Sequence, residues 1–228
     1  MEKTMDLDRY LTPSKMSDCD HTRLKRTAQE ITTGAENPMQ AAQRVFRYVR
    51  DEIAFNATLD IFLKASQAIR RSTMDYCNKI NIHLSLLRAA GIPARFHTVR
   101  VRKEMLEHIV PGFLYNHLPS PVGHFWCECH LNGRWTACEA LFDEPFYAGM
   151  LRAGYLTKEQ IPTIDWDGQC DLILMKHWIV EDKEIYSHYE QLTALASAEG
   201  MPPRLLCKAL EWLPAFFSSR RTDQLRKL

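Results

Sequence analysis

The sequence predicts a mixed α+β domain in which one buried helix packs on an antiparallel sheet. Three stretches predict it. In the first, from Asp75 to Arg95, Cys77, Ile80, Leu84 and Leu87 recur at helical spacing, and Ile82, Leu86 and Ala89 thicken the apolar face. Asp75, Ser72 or Thr73 can cap its first turn, and Gly91 followed by Pro93 ends it. In the second, Ala94 to Arg102 is rich in β-branched residues and reads as a strand. In the third, Asn132-Gly133 joins two strand-like runs, Gly123 to Leu131 and Arg134 to Leu141, as a two-residue hairpin turn does.

The remaining elements follow in order. Residues 1–20 are polar, broken by Pro13, and read as an irregular leader. His21 to Thr33 and Pro38 to Ile53 read as two helices, the second capped by Asn37 with Pro38 in its first turn and striped by Ala42, Val45, Phe46 and Val49. Ala57 to Arg71 holds a short helical pattern. Residues 103–121, punctuated by Pro111-Gly112, Pro119 and Pro121, read as a long loop of the kind that often carries function. A further strand is expected over Asp171 to Val180, and helix from about Lys183, interrupted at Gly200-Met201-Pro202-Pro203. The basic tail from Ser218 to Leu228 is expected to fray. The apolar cluster Trp212 to Phe217 must pack on something, and a homodimer through it is one expectation. The expected division is a leader at 1–20, a catalytic core at 21–180 and a C-terminal helical extension at 181–228.

Composition narrows the function. The 29 basic and 28 acidic residues among 228 give no field for nucleic acid or a membrane surface. No apolar run approaches the ~20 residues that span a bilayer, and the N-terminus lacks a signal-peptide core. Seven scattered cysteines, with no export signal, fit reduced thiols in a cytoplasmic protein.

Cys77 carries the first chemical signal. A helix's first turn has unpaired N–H groups and a partial positive charge, which favour a thiolate. Read alone, Cys77 is a small core residue before it is a nucleophile. The hairpin supplies the rest. Its register places Leu131 opposite Arg134, Trp126 opposite Glu139 and His124 opposite Leu141. Side chains alternate, so Phe125, Cys127, Cys129 and Leu131 share one face, while His124, Trp126, Glu128 and His130 share the other. Glu139 is then a diagonal neighbour of His124. Asp143 has the same parity and is a rival acid. A thiol nucleophile, a histidine that moves protons and an acid that fixes its tautomer are the parts of covalent acyl transfer, and the Cys77 N–H can supply one oxyanion donor.

These residues resemble a known family. Cys77 followed by Leu86-Leu87-Arg88-Ala89-Ala90-Gly91-Ile92-Pro93-Ala94-Arg95 is similar to the nucleophile helix of the transglutaminase-like superfamily. His124-Phe125-Trp126-Cys127-Glu128, with Asn132-Gly133-Arg134-Trp135 and Glu139, resembles its histidine–acid hairpin. Weaker likeness extends to Val45 to Ile53 and to Asp165-Trp166-Asp167-Gly168, so that it covers roughly residues 10 to 190 of a small, stand-alone microbial-type member. The resemblance implies an α+β fold with a papain/transglutaminase-like core, the nucleophile helix packed on an antiparallel sheet, and extra N- and C-terminal helices. It also implies a Cys-His-acid triad acting through a thioester, with Cys77 and His124 as the first two members. The family's acid is usually aspartate where this chain has Glu139, and its glycine-containing turn before the cysteine is replaced here by Met74-Asp75-Tyr76, so Tyr76 can narrow the site and Asp75 can oppose the thiolate.

The expected function is a thiol-dependent enzyme acting on an amide or thioester, by hydrolysis or by acyl transfer to an amine. One alternative is an amide-forming acyltransferase drawing on a carrier-bound acyl thioester. Another is a non-catalytic interaction module. Peptide, amide or thioester substrates, or a carrier protein, are the expected partners, with no nucleic acid and no membrane. Trp126 can shield the imidazole or wall an acyl pocket. No cofactor and no metal is expected. Cys127-x-Cys129-His130 points its cysteines and its histidine to opposite faces, and the spacing is not a zinc knuckle. His83, six residues from Cys77, faces away from it and reads as a satisfied helix histidine.

Overall fold

The computed structural model describes residues 6–56, 63–192 and 220–228. In chain order its elements are α1 (Thr22–Thr32), α2 (Pro38–Glu52), β1 (Ala54–Phe55), α3 (Ala65–Ala68), β2 (Thr73–Met74), α4 (Tyr76–Ala89), β3 (Ala94–Val101), α5 (Gly112–Tyr115), β4 (Val122–Leu131), β5 (Arg134–Ala137), α6 (Glu144–Arg152) and β6 (Ile179–Tyr186). The four-stranded sheet is antiparallel, in the order β5-β4-β3-β6, and β1 and β2 form a separate parallel pair. The fold is thus the expected α+β type, with α1, α2 and α3 packed around α4 and α4 packed on β3 and β4.

Helix α4 is the centre. Every residue from Cys77 to Arg88 is buried, so its polar side chains need partners inside the protein. Lys79 donates to the carbonyls of Arg50 and Ile53 at 3.1 and 2.6 Å and closes the C-terminal end of α2; burial pulls its ammonium down to about 7. Arg88 donates to the carbonyls of Thr12, Ala94 and Ser187 and so ties both flanking segments to the helix. The helix ends as its sequence predicts, with Gly91 at φ 77° and the Ile92 N–H returning to the Leu87 carbonyl. Asn37 and Pro38 open α2 as expected.

The hairpin turns at Asn132 and Gly133, both at positive φ, and Leu131 pairs with Arg134 as the turn demands. The ladder is shorter than expected. It runs to Ala137, and the Cys138 N–H still reaches the Cys127 carbonyl. The Glu139 N–H then donates to the Leu172 carbonyl, so Trp126–Glu139 and His124–Leu141 are not ladder pairs. The chain leaves β4 because residues 171–172 take over the pairing.

Four other expectations are corrected. The apolar run from Asp171 supplies a single bridge and a turn of 3-10 helix; the strand begins at Ile179 and continues to Tyr186, past the expected start of helix and past residue 180. Its charged residues 181–184 suit an edge strand, exposed along one side, whereas the apolar run fills the core as a buried crossing. Residues 103–121 are not an unbroken loop: they hold a 3-10 turn at Lys103–Leu106 and α5. The tail does not fray, since residues 220–226 are helical, Leu225 is buried, and a Cβ on Gly149 would lie 1.9 Å from the Leu225 carbonyl oxygen. Met16, Ser17 and Cys19 of the leader are buried too. The expected helix at 57–71 is seen as α3, with residues 57–62 outside the described residues. The Gly200 to Pro203 break, the apolar cluster Trp212 to Phe217 and the dimer expected through it also lie outside them.

Arg226 in the tail binds Asp143 with two nitrogens, at 3.0 and 2.8 Å, and also the Phe55 carbonyl. Burial pushes the Asp143 carboxyl up, but Arg226, the Phe55 N–H and the Lys79 ammonium together hold it below its usual range. Asp143 therefore stabilises the fold at neutral pH, and that contribution fades as pH falls through its folded value. Arg226→Ala is expected to cost about 1–3 kcal/mol at neutral pH by stranding a buried carboxylate. The gap to wild type should shrink below about pH 4, where the stranded acid is neutral. Urea unfolding at both pH values measures it, and an unchanged gap would show that Arg226 acts by packing alone.

Candidate active site

Cys77 stands one residue inside the first turn of α4. Asp75 caps that turn, accepting from the Asn78 backbone N–H at 3.0 Å and from its side-chain amide at 2.6 Å. The cap holds Cys77 in place, yet it brings a carboxylate beside the sulfur. Burial raises the thiol well above its ordinary value and Asp75 raises it further, while hydrogen bonds from Tyr76 and Tyr189 pull it down. Desolvation and the Asp75 charge thus work against the thiolate that a helix terminus favours, and Asp75 acts in the sense its place before the cysteine suggests.

His124, on β4, is buried, and its Nε2 lies 2.8 Å from Glu139 Oε1. The other Glu139 oxygen accepts from the Leu174 backbone N–H at 2.6 Å. The carboxylate is therefore fixed at both ends. If Nε2 carries the proton that Glu139 accepts, Nδ1 has the basic lone pair. The bond forms even though the ladder ends early, because the longer glutamate arm reaches a histidine that it does not face. Asp143, the rival acid, is engaged elsewhere: it caps α6 by accepting from the Phe146 N–H at 3.1 Å and pairs with Arg226.

Tyr76 lies between the two halves. Its ring stacks on His124, with centroids 5.7 Å apart and planes 23° from parallel, and its hydroxyl reaches the Cys77 sulfur. Among the described residues no hydrogen bond joins Cys77 to His124. Tyr76 thus covers one face of His124 and hydrogen-bonds to Cys77, in the turn where the family has a glycine. Trp126 is fully buried, stacked on His97 at 4.7 Å and tilted against His124 at 6.4 Å, so it backs the imidazole instead of lining an open pocket. A cavity of about 180 Å³ opens elsewhere, among Met105, His108, Met150, Tyr155 and Trp178, and includes none of Cys77, His124 or Glu139.

Two contributors have no local signal in the sequence. Tyr189, just beyond β6, is fully buried against Cys77. His97, on β3, bonds to Glu128 at 2.7 Å and to Asp182 at 2.6 Å, and these carboxylates, outweighing burial, raise its pKa. Arg95 completes that cluster through Glu128 at 2.7 Å.

A cysteine on the buried helix α4 and a bonded histidine–glutamate pair beside the sheet thus share one α+β core. The Transglutaminase-like superfamily model matches residues 25–140, about half of the chain, which therefore belongs to that superfamily. Among solved structures, the "Putative Cysteine Protease from Cytophaga hutchinsonii" is similar at 19% identity and TM-score 0.48, over 61% of this chain and 43% of that one. A "Putative Protease from Parabacteroides distasonis" is similar at 13% identity and TM-score 0.38, over 57% of this chain and 24% of that one. The chain thus corresponds to less than half the length of either. No curated protein matches it. Among the described residues, no helix is long and apolar enough to cross a membrane, and the six described cysteines are free thiols.

Proposed function

We propose that the chain is a thiol-dependent acyl-transfer enzyme in which Cys77 is the nucleophile, His124 the general base and acid, and Glu139 the residue that positions His124. The observation that carries this reading is the buried His124–Glu139 pair, with its second oxygen anchored on Leu174 and the remaining imidazole nitrogen left for a thiol. In the reaction, Nδ1 takes the Cys77 proton as the sulfur attacks the carbonyl of an amide or thioester. The Cys77 N–H supports the developing oxyanion. His124 then gives its proton to the leaving amine or thiol, and Cys77 holds the acyl group as a thioester. Water or an amine, deprotonated by the same histidine, releases it. Tyr76 must rotate off His124 before the first step.

Intact-mass spectrometry of the protein incubated with amide and thioester pools tests this. An acyl adduct is expected on wild type and not on Cys77→Ala, and its mass names the acyl group. Addition of amines then separates hydrolysis from transfer, and a carrier-bound acyl thioester tests the amide-forming alternative. One observation favours a non-catalytic module on the same fold: Cys77 and His124 are not joined and Tyr76 occupies the approach. The absence of any adduct, together with a Cys77→Ala protein that matches wild type in every assay, would establish that reading.

A further inference from the structure

The three segments that carry the proposed machinery meet a second time, deeper in the core. His83 lies on the helix of Cys77, Cys127 on the strand of His124, and Cys138 next to Glu139. One ligand atom from each of the three lies within 4.8 Å of the other two. All are at most 1% exposed. His83 Nε2 is buried with no hydrogen-bond partner among the described residues. A buried polar atom left so costs about 1–3 kcal/mol. The Cys138 sulfur is also 3.9 Å from the Cys129 sulfur, near the ~3.8 Å edge of a tetrahedron with 2.3 Å metal–sulfur arms.

We propose that His83, Cys127 and Cys138, with Cys129 as the fourth ligand where four are needed, form a closed structural site for a thiophilic d10 cation, zinc(II) or copper(I). Imidazole and thiolate are the ligands those ions share. His83 is already the ligand form, since burial and then Lys79 lower it to about 3 and keep the ring neutral. Burial pushes the Cys138 thiol up, and an ion bound by thiolates displaces their protons. Zinc(II) bound by three thiols releases three protons; copper(I) bound by Cys127 and Cys138 releases two. Either centre then carries one net negative charge, beside the Lys79 ammonium one helical turn from His83. The three clustered ligands need to draw together by up to roughly 1 Å, and Cys129, near Cys138 but outside the 4.8 Å group, has further to move. His130 is not involved, as its ring lies against Trp135 at 5.2 Å. The rejected Cys127-x-Cys129-His130 set thus gives way to one that no linear motif shows. His83 is also not the satisfied histidine that its helix position suggests. A bound ion would pin α4 to the hairpin and fix the spacing of Cys77, His124 and Glu139 without touching substrate.

The test uses the full chain, reduced and reconstituted separately with zinc(II), copper(I) and cobalt(II). About one equivalent of zinc or copper per chain is expected after gel filtration, and the element retained distinguishes the two ions. Cobalt(II) should give the intense near-ultraviolet thiolate charge-transfer band of a tetrahedral site. His83→Asn and Cys138→Ser should each lose most of the metal, whereas Cys170→Ser, at an exposed cysteine outside the cluster, should keep it. Chelation should lower the melting temperature of wild type and leave that of His83→Asn unchanged. Folded wild-type protein that retains less than about a tenth of an equivalent of either ion would overturn the site, and so would metal content unchanged in His83→Asn. If the cysteine variant does not fold, the cobalt spectrum of wild type decides, and absence of the thiolate band counts against the proposal.

Discussion

Glu139→Gln is expected to lower turnover by about two to four orders of magnitude while the protein stays folded. The substitution keeps the volume and can still accept from the Leu174 N–H. It loses the charge that stabilises an imidazolium, and its amide can donate to Nε2, which moves the His124 proton to Nδ1. That nitrogen would then face the thiol as a donor and could not take its proton. Glu139→Asp separates reach from charge. An aspartate arm is one methylene shorter and cannot span from Leu174 to His124, so turnover should fall with the charge intact. Asp143→Asn should instead cost stability through Arg226 and leave the rate per folded molecule unchanged. Single-turnover rates of acyl-enzyme formation measure all three. A Glu139→Gln protein with wild-type rates would remove Glu139 from the mechanism.

The second large effect is expected at Cys77 itself. Wild-type Cys77 should react slowly with iodoacetamide at neutral pH and faster as pH rises, because burial and Asp75 hold the thiol protonated. Asp75→Asn removes the charge and retains a capping side chain, so alkylation at a fixed pH near 8 should quicken by about tenfold for each unit by which the pKa falls. Tyr76→Ala should act differently. It clears the space between Cys77 and His124, so its gain should vanish when His124→Ala is added. Site-resolved mass spectrometry against time and pH reads both. If Tyr76→Ala leaves the rate unchanged, Tyr76 does not close the site.

The parts of the fold that rest on local chemistry were legible in the sequence. The caps of α2 and α4, the Gly91 stop and the Asn132-Gly133 turn each follow from a few neighbouring residues, and the structure has them where the sequence puts them. The His124–Glu139 bond was legible in the same way, from strand parity and turn length, although the ladder that suggested it ends early. What escaped the sequence is non-local. Nothing around Tyr189 indicates that it meets Cys77, and nothing in the tail's basic composition indicates that Arg226 neutralises Asp143. β6 was displaced for a related reason. Alternation and apolar runs mark faces buried in a sheet, and here the apolar run was needed as core filling while a charged segment took the open edge. At Cys77 the helix terminus and the neighbouring Asp75 can be read from sequence, whereas the degree of desolvation cannot.

The burial of α4 from Cys77 to Arg88 bears on how the site can open. A helix enclosed on every side exchanges its amide protons only when much of the molecule comes apart, so its backbone should be among the slowest to take up deuterium. Cys77 is then carried by one of the least yielding parts of the chain. Access to it has to come from fast rotation of single side chains, Tyr76 first among them, and not from any breathing of the helix. Deuterium uptake along residues 77–88 should therefore be the same with and without bound substrate, even as the reactivity of the sulfur changes.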